Sequence, residues 1–520
     1  MSTRLPEDII RIVLSYLDIK DIVAIRQSCR GFNELSKSRS VWDALYFRHV
    51  VNADIPTPGL SGRSFDCLSA EEIENFCHAS LALHSNWTAP TPTARRFLRL
   101  EGISDTRVLG LHCLPRADGH RYLISLAMLL GSHRRFILRC WDLEASTPVC
   151  VAEKSFQRVS GMAVNKTASD AGSVAMLTPQ GVDVLRLNPN AADPNQGFTT
   201  ARLLRDPLAS VAYFYDSIVA ARNSDGRLFL YDVTHAPARV ELLHNTEMPL
   251  DFVFTETFVL VLKTTTLELY PLPSSFAGIP RHVIIQPIFA FEFPRRVDHG
   301  VMTLRHGWPG DTETLNCAVT VFLRFASSFP WAVNLIDHFE IRPNAYYVSA
   351  DSPSEMNVPY EYPPMHIQTI GSPVRMHATT HMAVGEYGTV VWIDSHTEDY
   401  YVHSHRGQRI AGLFAPLYRR RPKKLRPILD TDAEDQGYGE DEDDMDDMDD
   451  MDEEDDNEED ENEEIRPLSG TSIASTVFCH HDADNWLRLV LDEKEGVIFV
   501  GRDDGIIEIF EYAQGNFVSP

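Results

Sequence analysis

Hydrophobic and polar positions at the start of the chain recur with the period of an α-helix. Pro6 suits the first position of this helix, and the acidic pair Glu7 and Asp8 complements the positive end of its dipole. The apolar stripe consists of Ile9, Ile10, Val13, Leu14 and Leu17. The first helix is therefore predicted to bury one of its faces.

Two further helical segments are predicted before residue 50. The second helix places Ile22 and Ile25 on one face and is predicted to end at Gly31, and the third segment contains Trp42. So few residues rarely bury enough apolar surface to stand alone. Residues 1–50 are therefore predicted to form a three-helix unit that packs on another surface.

The pattern changes again after residue 50. Residues 51–66 are rich in Pro, Gly and Ser and are predicted to be a linker. Residues 69–85 have a helical pattern, in which Ser69 and Glu72 stand at the spacing of a capping box. Residues 51–96 are therefore predicted to be a linker that contains one helix.

From residue 97 onward the chain consists of short β-type runs separated by turn residues. A unit recurs in which an apolar strand is followed by a polar tight turn and a second apolar strand. Residues 222–232 and 501–510 are the clearest copies. The predicted turns lie near residues 134, 181, 226, 266, 328, 388 and 505. An all-β second half is therefore expected, and the early spacing suits one four-stranded blade per repeat.

These units resemble degenerate WD repeats. The resemblance implies that residues 97–520 form a β-propeller of about seven blades, closed into a ring without free edges. Trp141 and Trp392 are then expected in blade cores. The alternative fold is a β-sandwich followed by a separate C-terminal domain.

The N-terminal residues resemble an F-box. The resemblance lies in Leu5-Pro6-x-x-Ile9-Ile10, then Val13-Leu14-Ser15-Tyr16-Leu17, then Cys29-Arg30 and Val41-Trp42. It implies docking on the Skp-type adaptor of a cullin–RING ubiquitin ligase. The residues expected to contact the adaptor are Leu5, Pro6, Ile9, Ile10, Val13, Leu14, Leu17, Ile22, Ile25 and Trp42. The alternative is a helical cap that packs on the body of the chain itself.

The formal net charge of −28 is concentrated in one segment. Residues 430–464 contain 24 acidic residues and no Lys or Arg, which leaves 51 acidic against 47 basic residues elsewhere. Nucleic-acid binding by the nearly neutral body gains no support from this balance. Residues 416–469 are predicted to be a disordered insertion within the propeller, because they contain too few apolar residues to fold.

The insertion also contains a basic cluster, formed by Arg419, Arg420, Arg421, Lys423, Lys424 and Arg426. Two interpretations of this cluster are open: a nuclear localisation signal, or neutralisation of the neighbouring acids. The acidic run is interpreted as a solvating segment, with binding of a basic partner such as a histone or ribosomal protein as the alternative.

Catalytic and metal-binding motifs are not found in the sequence. The histidine clusters (Cys77-His78, His377 with His381, His403 with His405, and His480-His481) do not have the paired spacing of a structural zinc site and are interpreted as scattered surface residues of the propeller. No signal peptide or bilayer-spanning run is present. The expectation is a non-enzymatic protein without metal or cofactor, located in the cytoplasm, the nucleus or both.

Arginines are the candidate target-binding residues. In WD-repeat substrate receptors, arginines at the rim of the central channel of the propeller bind acidic or phosphorylated peptides, because the planar guanidinium group can form two parallel hydrogen bonds to a phosphate. The positions that resemble these arginines are Arg222, Arg375 and Arg502. The favoured alternative is that they are turn arginines paired with neighbouring aspartates.

The resemblances together imply a substrate-recognition subunit of an SCF-type ubiquitin ligase. Its partners would be the Skp-type adaptor, through it the cullin and RING subunits, and a target protein, whether phosphorylated or not; nucleic acid and membranes are not expected. Catalysis would be proximity supplied to another protein's thioester. The alternatives are an adaptor-bound scaffold that presents no substrate, and a propeller hydrolase, for which the sequence offers no nucleophile.

Overall fold

The structure is a computed structural model in which short loops and one long segment are left undescribed. It describes residues 6–60, 63–115, 120–131, 134–144, 147–235, 239–243, 245–273, 276, 281–305, 317–325, 333–348, 353–373, 381–395, 407–415 and 476–513. The predicted insertion at residues 416–469 lies outside the described residues. No helix within the described ranges is long and apolar enough to cross a lipid bilayer.

Helices make up the N-terminal part of the described chain. They are α1 (Glu7–Tyr16), α2 (Ile19–Arg26), α3 (Arg30–Ser36), α4 (Arg39–Tyr46) and α5 (Ala70–Trp87). The region before residue 50 thus has four α-helices where three were predicted. The predicted end at Gly31 is wrong, because α2 ends at Arg26 and Gly31 lies in α3, where the thiol of Cys29 accepts the N–H of Phe32 as a cap.

The predicted linker helix is confirmed as α5. Its capping box is present in both directions: the Ser69 hydroxyl accepts the Glu72 N–H, and the Glu72 carboxylate accepts the Ser69 N–H at 2.8 Å. The preceding residues 54–58 are buried rather than solvated. The Pro- and Gly-rich segment is therefore packed structure in its central part.

The rest of the described chain forms seven four-stranded antiparallel blades in sequence order. Blade 1 contains β2 (Thr106–Leu114), β3 (Tyr122–Leu129), β4 (Arg135–Asp142) and β5 (Val149–Phe156). Blade 2 contains β6 (Gly161–Val164), β7 (Val174–Thr178), β8 (Gly181–Leu187) and β9 (Phe198–Leu204). Blade 3 contains β10 (Leu208–Tyr215), β11 (Ile218–Asn223), β12 (Leu228–Asp232) and β13 (Arg239–Leu242).

Blades 4 to 6 continue in the same order. Blade 4 contains β14 (Pro249–Phe254), β15 (Phe258–Lys263), β16 (Thr266–Pro271) and β18 (Phe289–Glu292). Blade 5 contains β19 (Val297–Leu304), β20 (Val319–Phe325), β21 (Val333–Ile341) and β22 (Met365–Pro373). Blade 6 contains β23 (Met382–Val384), β24 (Thr389–Ser395), β25 (Gln408–Phe414) and β26 (Thr476–His481).

Blade 7 closes the ring by joining the two ends of the propeller. It contains β27 (Trp486–Asp492), β28 (Val497–Arg502), β29 (Ile507–Glu511) and, as its outer strand, β1 (Arg96–Leu100). β1 pairs antiparallel with β29, from Arg96 opposite Glu511 to Leu100 opposite Ile507. The predicted closed propeller of about seven blades is confirmed by this topology.

One strand departs from the regular pattern. β17 (His282–Ile285) lies in the connection between β16 and β18 of blade 4, but it pairs in parallel with β13 and so adds a fifth strand to blade 3. His282 Nε2 lies 2.8 Å from a carboxylate oxygen of Glu241 on β13. The connection within blade 4 thereby covers the outer edge of blade 3.

The predicted turns mostly coincide with the connection between the second and third strands of a blade. Gly226 and Gly505 occupy such turns with φ of 86° and 83°, a backbone region that favours glycine. The turn near residue 388 differs, because it joins the first and second strands of blade 6; the turn near 328 lies outside the described residues. Trp141 and Trp392 are buried in blade cores, as predicted.

Candidate interaction surfaces

Helix α1 presents an apolar face to solvent. We call this the outer face of α1; it is formed by Ile9, Ile12, Val13 and Tyr16, which are 44%, 54%, 49% and 72% exposed. The spacing Ile9–Val13 and Ile12–Tyr16 places the four side chains on neighbouring positions of the helix surface. A contiguous apolar patch on a soluble domain marks a surface for a partner.

Among the residues predicted to contact the adaptor, the exposed ones are Pro6, Ile9 and Val13, whereas Ile10, Leu17 and Ile25 are half-buried. Leu5 lies outside the described residues. Ile12 and Tyr16 were not predicted, although their separation of four residues is the signal that could have identified a second apolar stripe on α1.

The other predicted residues lie inside the helical domain, by which we mean α1 to α4, the following segment and the first half of α5. Leu14, Ile22 and Trp42 are at most 1% exposed and belong to one apolar cluster with Ile73 and other residues of α5. The indole N–H of Trp42 donates to the Ser36 carbonyl oxygen at 2.9 Å. The prediction left these side chains for a partner to cover, whereas the protein covers them itself, since α1 packs on α3 and α4, and α4 packs on α5. The predicted residues that remain open to a partner lie on the outer face of α1 and at its border.

Helix α5 joins the helical domain to the propeller because its two halves pack on different partners. Ile73 and Phe76 in its first half pack in the core of the helical domain, whereas Leu83 and Trp87 in its second half pack against blades 6 and 7. The indole N–H of Trp87 donates to the Thr389 hydroxyl at 2.7 Å. One helix therefore contributes to both hydrophobic cores.

A buried arginine strengthens this junction. Arg305, after β19, is 1% exposed and donates to the carbonyl oxygens of Tyr387 at 2.8 Å and Ala415 at 3.0 Å. Its guanidinium also lies 3.6 Å from the carboxylate of Asp54 in the linker. Burial lowers the pKa of Arg305, while the nearby Asp54 carboxylate opposes this effect.

The turn at residues 385–389 of blade 6, which we call the junction turn, is held from several sides. The Glu493 carboxylate accepts the N–H groups of Tyr387 at 2.6 Å and Thr389 at 2.7 Å, and burial raises the pKa of Glu493 to about 7. Gly388 has a φ of 103°, and a Cβ there would collide with the Arg305 guanidinium and the Ala415 carbonyl oxygen. This turn therefore requires glycine.

All these contacts lie on one rim of the propeller. Because the strands of a blade alternate in direction, the loops between first and second strands share a rim with those between third and fourth strands. We call this the lower rim; it carries the junction turn and Glu495, whose carboxylate accepts the Gly59 N–H at 2.9 Å. The opposite, upper rim carries the turns between second and third strands, away from the helical domain.

The structure places two of the three predicted target-binding arginines on the upper rim. Arg502 donates to carboxylate oxygens of Asp504 at 2.6 Å and Glu508 at 2.9 Å. Arg222 donates to the Gly226 carbonyl oxygen at 3.0 Å and also to the Thr246 carbonyl oxygen. Arg375 lies outside the described residues. Arg502 thus has the aspartate partner of the favoured alternative, whereas Arg222 bonds to backbone oxygens.

Metal-binding geometry is not found in the part of the chain that the structure describes, where no three His, Cys, Asp or Glu side chains are arranged to hold an ion. His377, His403 and His405 lie outside the described residues. His381 lines a cavity on the propeller axis. The interpretation of His381 as a surface residue is therefore wrong, because its ring lies inside the propeller, where its Nδ1 accepts the Leu489 N–H at 3.3 Å.

Comparisons with known proteins bear on the two parts separately. Residues 2–44 match the F-box domain family. No curated protein matches the chain. Solved structures similar in fold include the C-terminal WD40 domain of Sif2, at 10% identity, a TM-score of 0.38, and coverage of 82% of this chain and 85% of that one.

Two further similar structures are chains in larger assemblies. One belongs to a mitotic checkpoint complex (10% identity, TM-score 0.40, coverage of 81% of this chain and 96% of that one). The other belongs to a humanized mutant of the Chaetomium thermophilum Polycomb Repressive Complex 2 bound to an inhibitor (10% identity, TM-score 0.46, coverage of 82% and 98%). The family match and the sheet topology together show an N-terminal F-box domain at residues 2–44, followed by a seven-bladed β-propeller.

Proposed function

We propose that this protein is a non-catalytic substrate receptor of an SCF-type ubiquitin ligase. The F-box would bind a Skp-type adaptor and, through it, the cullin and RING subunits, and the propeller would bind the target protein. The receptor would accelerate ubiquitin transfer by holding the target close to a charged conjugating enzyme, since proximity converts a bimolecular step into an effectively unimolecular one.

The observation that carries the proposal is the outer face of α1. Its four large side chains remain exposed although the opposite side of the same helix is packed, with Leu14 only 1% exposed. An adaptor that covered Ile9, Val13 and Tyr16 would remove this apolar surface from water and gain binding free energy. The F-box match at residues 2–44 supports the identity of that partner.

The attachment of the helical domain favours the upper rim as the target-binding surface. The contacts of α5 and the linker occupy the lower rim at blades 5 to 7, through Arg305, Thr389 and Glu495. A target on the upper rim would therefore not compete with the helical domain. If Arg502 binds an acidic target there, the target must replace the carboxylates of Asp504 and Glu508 as its partners.

Substitutions on the outer face of α1 test the adaptor contact. Val13→Asp and Ile9→Asp should abolish co-purification with the adaptor, because each would place an unpaired charge in an apolar interface. Met356→Asp is the matched control, since Met356 is an equally apolar, 96% exposed side chain on the propeller. Wild-type yield of the adaptor with both α1 variants would overturn the proposed docking surface.

The role in ubiquitination needs a separate measurement. Proteins captured by the propeller should have longer lifetimes in cells that express Val13→Asp than in cells that express the wild type. Unchanged lifetimes together with lost adaptor binding would favour the adaptor-bound scaffold, which presents no substrate.

A further inference from the structure

Four arginines without a carboxylate partner lie on the upper rim of blade 1. Arg107 stands at the start of β2, Arg134 and Arg135 lie where the turn after β3 enters β4, and Arg158 lies in the connection from β5 to blade 2. All four side chains are exposed. None of them forms an ion pair with a residue in the described ranges. We call this set the blade 1 arginines.

The strand register places these arginines at one end of the blade. One row of paired residues crosses all four strands, from Arg107 on β2 through Phe136 on β4 to Phe156 on β5. Arg135 is next to this row in β4, and Arg158 follows it by two residues. Because neighbouring strands are about 4.8 Å apart, the row is about 15 Å wide. A single extended segment could therefore contact several of the guanidinium groups at once.

The charges on this part of the rim do not cancel. The connection that leads into β2 contributes two acids, Glu101 and Asp105. The strands of blade 1 contribute the ion pair of Arg139 and Glu153, which is neutral as a whole. On the neighbouring blade 2, the exposed Arg205 follows β9. Blade 1 and the adjoining edge of blade 2 therefore carry a net positive charge on the upper rim.

The blade 1 arginines differ from the arginine on the same rim of blade 7. Arg502 already pairs with the carboxylates of Asp504 and Glu508. An acidic ligand on blade 1 has no such carboxylate to displace, so it gains the attraction of the guanidinium groups directly. Leu130, in the turn that leads to Arg134, is 54% exposed and offers an apolar contact beside them. The surface therefore fits a segment that is acidic and partly apolar.

The chain itself contains a segment of this composition. Residues 440–456 consist of 14 acidic residues and three methionines, which stand at every third position: Met445, Met448 and Met451. Carboxylates are the natural partners of guanidinium groups. Methionine side chains are flexible and adapt to irregular apolar surfaces such as that of an exposed leucine. The segment thus complements the blade 1 arginines in charge and in apolar contact.

The length of the chain allows residues 440–456 to reach blade 1. The connection that contains them leaves the lower rim of blade 6 after Ala415 and returns at Thr476, with blade 7 between it and blade 1. It provides 24 residues before the segment and 19 residues after it. At about 3.3 Å per extended residue, these arms reach about 80 and 60 Å. A blade is only about 25 Å tall from rim to rim, given strands of about eight residues.

We propose that the blade 1 arginines bind residues 440–456 of the same chain. The segment is tethered to the propeller, so its effective concentration at the site is in about the millimolar range. An acidic target that approaches this part of the upper rim must first displace the segment, which acts as an internal competitor. This consequence rests on the proposed function, whereas the contact itself does not.

Fluorescence anisotropy with a labelled synthetic peptide of residues 440–456 tests the contact. The full-length chain is compared with an amide variant of equal length, in which the acids of the segment are replaced by Asn and Gln. We expect the amide variant to bind the peptide at least about tenfold more tightly, because its own segment no longer competes. This affinity should fall as the salt concentration rises from about 50 to 300 mM, since exposed charges are screened. Equal affinities for the two proteins, or no binding to the amide variant, would overturn the proposal.

Arginine substitutions in the amide variant locate the site. Arg134→Gln combined with Arg135→Gln should weaken peptide binding about fivefold or more, the loss expected for two exposed ion pairs. Arg295→Gln combined with Arg296→Gln is the matched control, because these adjacent arginines are also exposed on the upper rim, in the connection from blade 4 to blade 5. Equal weakening by both pairs would show a response to net charge alone, and unchanged binding with the blade 1 pair would assign the peptide to the basic cluster at residues 419–426. Either result would overturn the proposal. Adaptor binding is measured separately and bears only on the proposed function.

Discussion

Helices α1 and α5 are both rich in large apolar side chains, but the rest of the protein covers them to different extents. The apolar residues of α5 are covered along its length, first by the helical domain and then by blades 6 and 7. In α1 only the inner side is covered, and Ile9, Ile12, Val13 and Tyr16 face solvent. Residues of both helices belong to the same hydrophobic core, so both helices lie next to apolar surface on which they could pack.

The comparison shows that apolar content alone does not reveal the role of a helix. Burying α5 fixes the helical domain to the propeller through this chain's own contacts, such as the Trp87–Thr389 hydrogen bond. The remaining apolar surface on α1 is exposed and is covered by none of the residues that the structure describes, which is typical of a docking surface. One helix thus provides internal attachment, and the other is available to a partner.

The largest expected effect comes from detaching α5. Trp87→Ala should cost about 3–5 kcal/mol of unfolding free energy, because it leaves a cavity between α5, Phe478 and Tyr512. Trp87→Phe is the control: it keeps most of the ring contact and loses only the bond to Thr389, for about 1 kcal/mol. Chemical denaturation of both variants measures this, and equal losses would show that packing is not what holds α5.

The next effect contrasts the two sides of α1 at adjacent positions. Leu14→Ala should cost about 2–5 kcal/mol, as is usual for a fully buried leucine, whereas Val13→Ala should change stability by less than about 0.5 kcal/mol. Thermal unfolding of the helical domain in the full-length chain, followed by circular dichroism, would compare them. Similar losses would mean that Val13 is covered in the free protein.

A smaller effect is expected at the start of α5. Ser69→Ala removes one half of the capping box and should cost about 1 kcal/mol. Ser69→Asp should retain nearly full stability, because a carboxylate at the N-cap also accepts the exposed N–H groups and suits the helix dipole. The measurement is the midpoint of urea unfolding, and a loss with Asp as large as with Ala would argue against capping as the cause.

The smallest effect on stability, and a large one on association, is expected at Tyr16. Tyr16→Ser should leave the unfolding free energy within about 0.5 kcal/mol of the wild type. The same variant should weaken adaptor binding, measured by surface plasmon resonance. Tyr346→Ser is a suitable control, since Tyr346 is even more exposed but lies in blade 5. Equal adaptor affinities for both variants would remove Tyr16 from the docking surface.

Local motifs explain what the sequence predicted well. Ser69 and Glu72 lie three residues apart, so the capping box and the helix it begins could be identified without knowledge of the fold. The same holds for the blade turns at Gly226 and Gly505, where the positive φ favours glycine. Features of this kind depend on neighbours in the chain.

Long-range packing explains what the sequence did not show. Which side of α1 is covered depends on its packing against α3 and α4, so the sequence alone did not distinguish the buried Leu14 from the exposed Val13. Arg305 acquires its role only when the ring brings it beside Asp54 and the junction turn. The pairing of β17 with blade 3 and the meeting of His299 with His381 likewise arise from closure of the propeller.

The pairing of β1 with β29 has a consequence for how the protein is made. Arg96 leaves the ribosome about 415 residues before its partner Glu511, which at typical rates of synthesis is roughly 20–80 s. Throughout that interval the seventh blade lacks its inner strands, while the F-box and α5 are already complete. Under the proposed function, a nascent chain would therefore bind an adaptor well before it is able to bind a target, and a protein truncated near residue 500 would keep the first capacity and lose the second.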